Sequence, residues 1–139
     1  GWDQGFGPRA LLACPPEEHH DASLVLFGLA LRRRGWRITF LGANTPLEDV
    51  LSTRERFTPE LTVLYASDWA QHADTLSHLK QHAGPSTALG GSTAGPAADA
   101  TGWRWLAGDP VTAADQATRE FTAAKRGSNE RAGPNGAGH

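Results

Sequence analysis

The chain has 139 residues, of which 39% are hydrophobic and 20% are charged, and its formal net charge is −2 with histidine neutral. This length suits one domain of ordinary size, and the apolar share excludes a wholly disordered chain. The slight acidic balance argues against a strongly basic nucleic-acid binder.

Short apolar runs alternate with helical patterns along the first half of the chain. Residues 10–14 form a compact apolar run, which predicts a strand buried on both faces, as in a parallel sheet. Residues 21–34 carry an apolar helical stripe and end in three arginines before a glycine, which is typical of a helix C-terminus. Alternation over residues 36–40 predicts a second strand. Thr45 is expected to cap a helix that runs to about Arg56.

The second half continues the alternation. Three more apolar runs predict strands at residues 61–65, 87–89 and 103–106. Three helical patterns lie at residues 69–79, at 94–100 and from 109 onward. The last helix is expected to turn four residues inward, namely Val111, Ala114, Thr118 and Phe121.

Five strands alternating with helices predict an α/β fold, a doubly wound five-stranded parallel sheet of Rossmann-like or flavodoxin-like type. Because crossovers are right-handed, strand order 2-1-3-4-5 and a Rossmann-like order are the main alternatives. In either order, ligands bind at the carboxyl ends of the strands. Chemistry is therefore expected in the loops at residues 15–20, 42–45, 66–69, 90–93 and 107–109.

The two ends of the chain differ from its middle. Residues 1–8 show no hydrophobic period and are expected to be a leader or linker, with the domain over residues 9–126. Residues 127–139 are polar and rich in glycine, which predicts a disordered tail. The chain begins with Gly1 rather than Met, which indicates a piece of a longer protein. The longest apolar run is far short of a membrane span, and the single cysteine, Cys14, fits the cytoplasm.

The loop after the first predicted strand concentrates carboxylates and imidazoles. An imidazole can bind a metal through one nitrogen while a carboxylate holds the other. Two local pairs have a suitable spacing: Glu17 with His19, and Glu18 with His20. Taken alone, this loop is more often a set of solvent-exposed acidic residues at a helix N-terminus than a metal site.

Two later loops carry weaker signals. Gly90 and Gly91 would let the backbone approach a ligand closely, although neither a dinucleotide fingerprint nor a Walker motif is present. Ser67 has a hydroxyl that could donate to a ligand or cap the next helix. Each feature taken alone also fits an ordinary turn or cap.

The order of these signals resembles that of a cobalamin-binding domain over about residues 9–124. The family pattern is Asp-x-His-x-x-Gly after strand one, Ser-x-Leu after strand three and Gly-Gly after strand four. This chain has Glu18-His19-His20-Asp21-Ala22-Ser23, Ser67-Asp68-Trp69 and Gly90-Gly91 in those places. Residues 13–20, 29–36 and 41–47 most resemble the sensor half of MerR-type, light-responsive repressors of the CarH and LitR kind.

The resemblance implies roles for individual residues. That branch also uses a glutamate two residues before its histidine, which favours His20 as the lower axial cobalt ligand, in place of the cofactor's dimethylbenzimidazole. Glu18 would hold the other nitrogen of the His20 ring. The freed nucleotide tail would pass near Ser67 and along Gly90 and Gly91. No residue is assigned a catalytic role.

Three departures from the family pattern lie beside the implied cofactor site. Ser23 stands in place of the motif glycine and adds a side chain near the cofactor. Trp69 stands in place of leucine and would crowd the nucleotide tail or stack on it, and Asp68 adds a charge.

The function implied by the resemblance is a non-enzymatic sensory domain of a transcription regulator. Its cofactor would be adenosylcobalamin first, with methyl- or hydroxocobalamin as alternatives. In that family light breaks the cobalt–carbon bond and changes oligomeric state and DNA binding, so the domain would act as a photoreceptor. The helical-bundle and DNA-binding regions would lie outside this chain, which is expected to bind no DNA by itself, to contact no membrane and to form a homo-oligomer.

Two alternatives remain open at this stage. The chain could be the corrinoid carrier of a methyltransferase or mutase, or a flavodoxin-like interaction module without a ligand. Among the other candidates, His78 and His82 have metal-ligand spacing but polar neighbours, and a solvated helix face is the better interpretation. Cys14 is expected to pack as a small hydrophobe. Three tryptophans are expected in the core, namely Trp36, Trp103 and Trp105.

Overall fold

The computed structural model describes residues 1–82, 84 and 86–137. Strands and helices alternate along the chain: β1 (Arg9–Ala13), α1 (Ala22–Arg33), β2 (Arg37–Gly42), α2 (Leu47–Phe57), β3 (Leu61–Tyr65), a 3₁₀ turn (Trp69–His72), α3 (Ala73–His82), β4 (Thr87–Gly90), α4 (Ala94–Thr101), β5 (Arg104–Leu106) and α5 (Pro110–Ala137). Each predicted strand and helix is present within a few residues of its expected position.

The five strands form one parallel sheet in the order β2-β1-β3-β4-β5. This is one of the two orders that the sequence left open, and it confirms the α/β prediction. β1 lies in the interior of the sheet, with Ala10 opposite Ile38 of β2 and Leu61 of β3. Because helices cover both faces of β1, its residues form a continuous apolar run instead of an alternating one.

Two apolar cores fill the space between the sheet and its helices. Leu12 of β1 packs with Leu24 of α1 and Ala114 of α5 on one face. Leu11 of β1 packs with Val50 of α2 on the other face. Each fully buried aliphatic side chain contributes about 1.5–3 kcal/mol, so the two cores give the loops at the strand ends a rigid support.

The first eight residues are attached to the domain by an aromatic side chain. The Trp2 ring lies edge-on to Phe40 with centroids 5.5 Å apart. It also covers Gly28 of α1, where an added Cβ would come within 2.9 Å of the indole. The Ile38 amide donates to the Trp2 carbonyl at 2.6 Å. One anchoring side chain produces no repeating hydrophobic pattern in the sequence. The sequence therefore predicts only a leader over these residues.

Thr45 does not cap α2 as expected. Its hydroxyl donates to the Gly42 carbonyl at 2.9 Å, and its amide donates to the Cys14 carbonyl at 3.0 Å. Pro46 occupies the N-cap position, with no side-chain cap. Thr45 thus lies one residue before the N-cap of the helix, where it joins the ends of β1 and β2.

Two predicted core residues are exposed. Val111 is 55% exposed, because α5 turns the smaller Ala114 and Ala117 toward α1. Trp105 is 42% exposed, because β5 is a three-residue strand at the edge of the sheet. Trp36 is buried as expected, and the half-buried Trp103 packs against the second core.

Helix α5 continues to Ala137, whereas the sequence predicts disorder from residue 127. The extension carries no apolar stripe, and residues 128–131 are exposed, so periodicity gives no signal for it. Residues 138 and 139 lie outside the described part of the chain. Among the described residues, no helix combines the length and apolar character needed to cross a membrane.

Candidate functional site

The loops that follow β1 and β3 meet at the carboxyl edge of the sheet. Glu18 lies at their junction and is 4% exposed, which is unusual for a carboxylate. Ser67, directly beyond β3, supplies both its amide and its hydroxyl to this carboxylate. Two residues that are 49 positions apart in the chain are therefore joined in one polar cluster.

The loop that carries Glu18 is held by two left-handed residues, Glu17 (φ 72°) and Asn44 (φ 48°). The Glu17 amide donates to Asn44 Oδ1 at 2.9 Å, and the Asn44 amide donates to the Glu18 carbonyl at 2.7 Å. A left-handed residue other than glycine costs of order 1–3 kcal/mol and persists only where its surroundings hold it. The reciprocal hydrogen bonds provide that support and fix the position of Glu18.

The Glu18 carboxylate accepts hydrogen bonds on both oxygens. Oε1 receives the Ser67 amide at 3.1 Å, and Oε2 receives the Ser67 hydroxyl at 3.1 Å. Burial by itself raises the pKa of Glu18, but the hydrogen bonds from Ser67, His20 and His72 outweigh it. The pKa therefore lies below its ordinary value of 4.5, and the group is a carboxylate at neutral pH.

His20 is oriented by this carboxylate. Its Nδ1 lies 3.2 Å from Glu18 Oε2, and its side chain is 82% exposed. An ionised carboxylate only accepts hydrogen bonds, so Nδ1 carries a proton, and in the neutral ring Nε2 keeps its lone pair. The arrangement leaves Nε2 of a neutral imidazole exposed at the sheet edge, where it could bind a metal.

Only one of the two pairs left open by the sequence is formed. Glu18 and His20 are in contact, whereas no hydrogen bond joins Glu17 to His19 among the described residues. Nor do three or more His, Cys, Asp or Glu side chains gather into a metal-binding group in that part of the chain. Of the two local pairs, the structure thus forms the one with His20.

His72 is a member of the cluster that sequence reasoning missed. It ends the 3₁₀ turn after β3, is 7% exposed, and places Nε2 3.3 Å from Glu18 Oε1. The available signal was its place on the inward stripe of the predicted helix, beside Trp69 and Leu76. A histidine on a buried stripe needs a polar partner, and pattern alone did not identify Glu18 as that partner.

Gly91 and Trp69 join the ends of β3 and β4. Gly91 has φ 115°, and an added Cβ would collide with the Ala66 carbonyl oxygen. The Trp69 indole N–H donates to the Gly90 carbonyl at 2.8 Å, and its amide donates to Thr93 Oγ1 at 2.9 Å. Trp69 is buried. The tryptophan that stands in place of the family leucine thus packs beneath the loops.

A groove of about 560 Å³ opens beside this edge, between α1, α5 and the ends of β3, β4 and β5. Three residues singled out from the sequence line it, namely Ser23, Gly90 and Gly91. Tyr65 and Trp105 line it as well. Trp105 is the residue expected in the core, and its indole N–H donates to the Gly91 carbonyl at 3.3 Å.

The remaining candidates lie outside this chemistry. Cys14 is buried, and burial raises the pKa of its thiol to about 12, with the Asp21 and Glu18 carboxylates adding to the effect. This agrees with its expected role as a small hydrophobe. His78 and His82 are exposed on α3, with ring centroids 5.4 Å apart, as the solvated-face interpretation predicts.

Comparison with curated proteins identifies two similar repressors, while no family model matches the chain. Over 58 residues (42% of this chain and 20% of the relative) the chain is 45% identical to the HTH-type transcriptional repressor CarA of Myxococcus xanthus. Over 77 residues (52% and 25%) it is 40% identical to the HTH-type transcriptional repressor CarH of the same organism. The chain thus matches only about a fifth to a quarter of the length of these relatives.

The fold is similar to those of three solved structures whose names mention cobalamin or a corrinoid. A cobalamin-binding protein from Desulfitobacterium hafniense has a TM-score of 0.68 at 16% identity, covering 81% of this chain and 58% of that one. The methanol:cobalamin methyltransferase complex MtaBC from Methanosarcina barkeri has a TM-score of 0.66 at 17% identity, covering 83% and 46%. The monomethylamine corrinoid protein of that organism has 0.65 at 20% identity, covering 78% and 56%. At these identities the likeness shows the shared fold.

Proposed function

We propose that this chain is a cobalamin-binding sensory domain of a MerR-type transcription regulator, with His20 as the lower axial ligand of cobalt. The observation that carries the proposal is the buried Glu18 carboxylate holding Nδ1 of an exposed histidine. The sequence similarity to two transcriptional repressors supports a regulatory rather than an enzymatic role.

The donor set fits a cobalt ion that takes one axial ligand from the protein. The corrin ring supplies the equatorial nitrogens, so a single imidazole is enough. Glu18 holds the His20 proton on Nδ1, which leaves Nε2 as the ligating atom. Ser67 acts on His20 only through Glu18, because its amide and hydroxyl donate to the Glu18 carboxylate.

The groove fits the nucleotide tail, which is displaced when a histidine takes its place on cobalt. Gly90 and Gly91 add no side chains to the groove at the end of β4, and Ser23 lines it from α1. Its volume of about 560 Å³ is within the usual range for organic ligand sites. Trp69 would contribute indirectly by holding the Gly90 carbonyl from below.

The regulatory part of the proposal involves regions beyond this chain. Adenosylcobalamin is the preferred form, because its cobalt–carbon bond supplies the light-sensitive chemistry. The partners would be a helical bundle over the upper face of the cofactor, a DNA-binding region and further copies of the protein, all in the cytoplasm. The net charge of −2 gives this domain no electrostatic attraction to DNA of its own.

Absorbance spectroscopy of the mixed and desalted protein tests cofactor binding and ligation. Adenosyl-, methyl- and hydroxocobalamin are each added, and we expect a coloured protein with a His-ligated spectrum. His20→Ala should remove that spectrum, whereas His19→Ala, a matched change at the exposed neighbour, should leave it unchanged. A colourless protein with all three forms would overturn the proposal in favour of a module without a ligand. An unchanged His20→Ala spectrum would reject His20 as the ligand.

A corrinoid carrier for an enzyme is the second candidate, supported by the fold shared with a methyltransferase complex and with a corrinoid protein. Its test uses the methylcobalamin-loaded chain. Loss of the methyl group to a nucleophile such as a thiol, faster than from free methylcobalamin, would favour the carrier. Photolysis that changes the assembly state without group transfer would favour the sensor.

A further inference from the structure

A second histidine shares the carboxylate that orients His20. His72 Nε2 lies 3.3 Å from Oε1 of Glu18, and His20 Nδ1 lies 3.2 Å from Oε2. Each imidazole thus contacts a different oxygen of the Glu18 carboxylate. The two rings differ in burial, since His20 is exposed and His72 is enclosed.

Donor and acceptor counting assigns the protons. A carboxylate only accepts hydrogen bonds, so both imidazole nitrogens that face Glu18 must carry hydrogen. His72 therefore has its proton on Nε2, and His20 has its proton on Nδ1. These are opposite tautomers, imposed by one carboxylate on two rings.

The surroundings of His72 hold its ring in a fixed place. It lies edge-on to the Trp69 indole, with centroids 5.9 Å apart. That indole is in turn tied to the Gly90 carbonyl, and the Trp69 amide is tied to Thr93. The position of His72 is thus set by the loop that also lines the groove.

We propose that His72 is a positioning residue that anchors Oε1 of Glu18, so that Oε2 is presented to His20. The inference deepens the proposed function, since it adds a residue to the machinery that selects the ligating nitrogen of His20. Without the His72 N–H, the remaining partners of the carboxylate are Ser67 and His20 itself, and its terminal bond rotates more freely. Oε2 is then held less firmly toward His20, and the tautomer preference of the His20 ring is weaker.

The tautomers can be read directly by ¹⁵N NMR of the ring nitrogens in the cofactor-free protein. In the unmodified chain we expect protonated Nε2 on His72 and protonated Nδ1 on His20. His72→Phe retains an aromatic ring beside Trp69 but removes the donor, whereas His72→Gln retains an N–H donor near the position of Nε2. His78→Phe, at an exposed histidine of α3, is the matched control.

We expect His72→Phe to lower the Nδ1–H to Nε2–H ratio of His20 by roughly threefold or more, since part of a charge-assisted hydrogen-bond network is lost. His72→Gln should restore most of the ratio, and His78→Phe should not change it. Equal ratios in the unmodified and His72→Phe proteins would overturn the proposal. So would protonated Nδ1 on His72 in the unmodified chain, a measurement that needs no variant to fold.

The same variants separate this inference from the proposed function. In the cobalamin-loaded protein, loss of the partner behind a ligating histidine typically costs about 10–100-fold in metal affinity, and His72→Phe should fall near the lower end of that range. If no corrinoid binds at all, the proposed function fails while the tautomer measurement still decides the role of His72. If corrinoid binds and the His20 tautomer ratio is the same in the His72→Phe variant, only the positioning role of His72 fails.

Discussion

The Glu18 side chain combines burial with charge, and hydrogen bonds outweigh the cost of its burial. Because these bonds lower its pKa below 4.5 in the folded chain, the folded state binds this proton less readily than the unfolded state does. The stability contributed by the carboxylate is therefore complete above the unfolded value of 4.5. It is lost as the pH falls through the lower folded value.

Glu18→Gln should lower the free energy of unfolding at neutral pH by about 1–3 kcal/mol, because an amide accepts hydrogen bonds only through its oxygen. The variant should also lose less stability than the unmodified protein on acidification below pH 4.5. Urea unfolding at a series of pH values measures both effects. Glu17→Gln, at the exposed neighbour, is the control and should follow the unmodified curve. Parallel pH profiles for Glu18→Gln and the unmodified chain would contradict the argument.

The residues of the site differ in how far sequence alone could predict them. The contact between Glu18 and His20 could be predicted, because the resemblance implies their spacing within one short loop. His72 was missed because its partner lies 54 positions away and is reached only after β3 pairs with β1. Ser67 was expected near the nucleotide tail, whereas its hydroxyl donates to Glu18. Long-range contacts of this kind depend on strand order, which a local pattern does not contain.

At the scale of elements, the turn after β4 shows why two adjacent glycines are not equivalent. Gly91 has a left-handed backbone, and any Cβ there meets the Ala66 carbonyl. Gly90 ends β4 in extended backbone, and a Cβ there would make an ordinary 3.5 Å contact with the Tyr65 ring. The turn geometry thus depends on the second glycine, although both glycines line the groove.

Gly91→Ala should lower the free energy of unfolding by about 2–4 kcal/mol, because backbone strain adds to a clash with a rigid carbonyl. Gly90→Ala should change it by no more than about 1 kcal/mol, since the strand conformation suits alanine. Urea unfolding of the two variants gives the comparison directly. Equal losses would mean that the turn relaxes around Gly91.

Local sequence patterns predict where the strands and helices lie better than they predict which helix residues point into the core. β1 and β3 were predicted because buried parallel strands need continuous apolar runs. The inward face of α5 is predicted to carry Val111, Ala114, Thr118 and Phe121. Ala114 is buried and Phe121 packs against the first core, as predicted, whereas Val111 is exposed. Small residues permit a close approach of two helices, and a hydrophobicity pattern ranks valine above alanine without regard to distance. A local pattern also fails for Thr45, because its hydroxyl donates to the Gly42 carbonyl instead of capping α2.

At the scale of the whole molecule, the groove and the His20 loop lie on the same edge of the sheet. The groove needs α1, α5 and three strand ends to be in place, so it exists only in the assembled domain. Because a ligand that binds only the folded state stabilises it, cobalamin at 100 times its Kd should add about 2.7 kcal/mol to the free energy of unfolding. A corrinoid that lacks the nucleotide tail would use the His20 loop alone.

Ser23→Trp should separate these two parts of the site. Ser23 lines the groove from the second position of α1, so an indole there fills space that the tail would occupy. We expect cobalamin to bind at least about tenfold more weakly, a loss of about 1.4 kcal/mol. Cobinamide, which has no nucleotide tail, should bind as it does to the unmodified chain.

Thermal unfolding with each corrinoid, at matched concentrations, measures the two affinities through the shift in Tm. Ser52→Trp places the same side chain at an exposed serine of α2, away from the groove, and should leave both shifts intact. Equal weakening of cobalamin and cobinamide by Ser23→Trp would mean that the indole disturbs the His20 loop. A full cobalamin shift in Ser23→Trp would mean that the tail does not enter this groove.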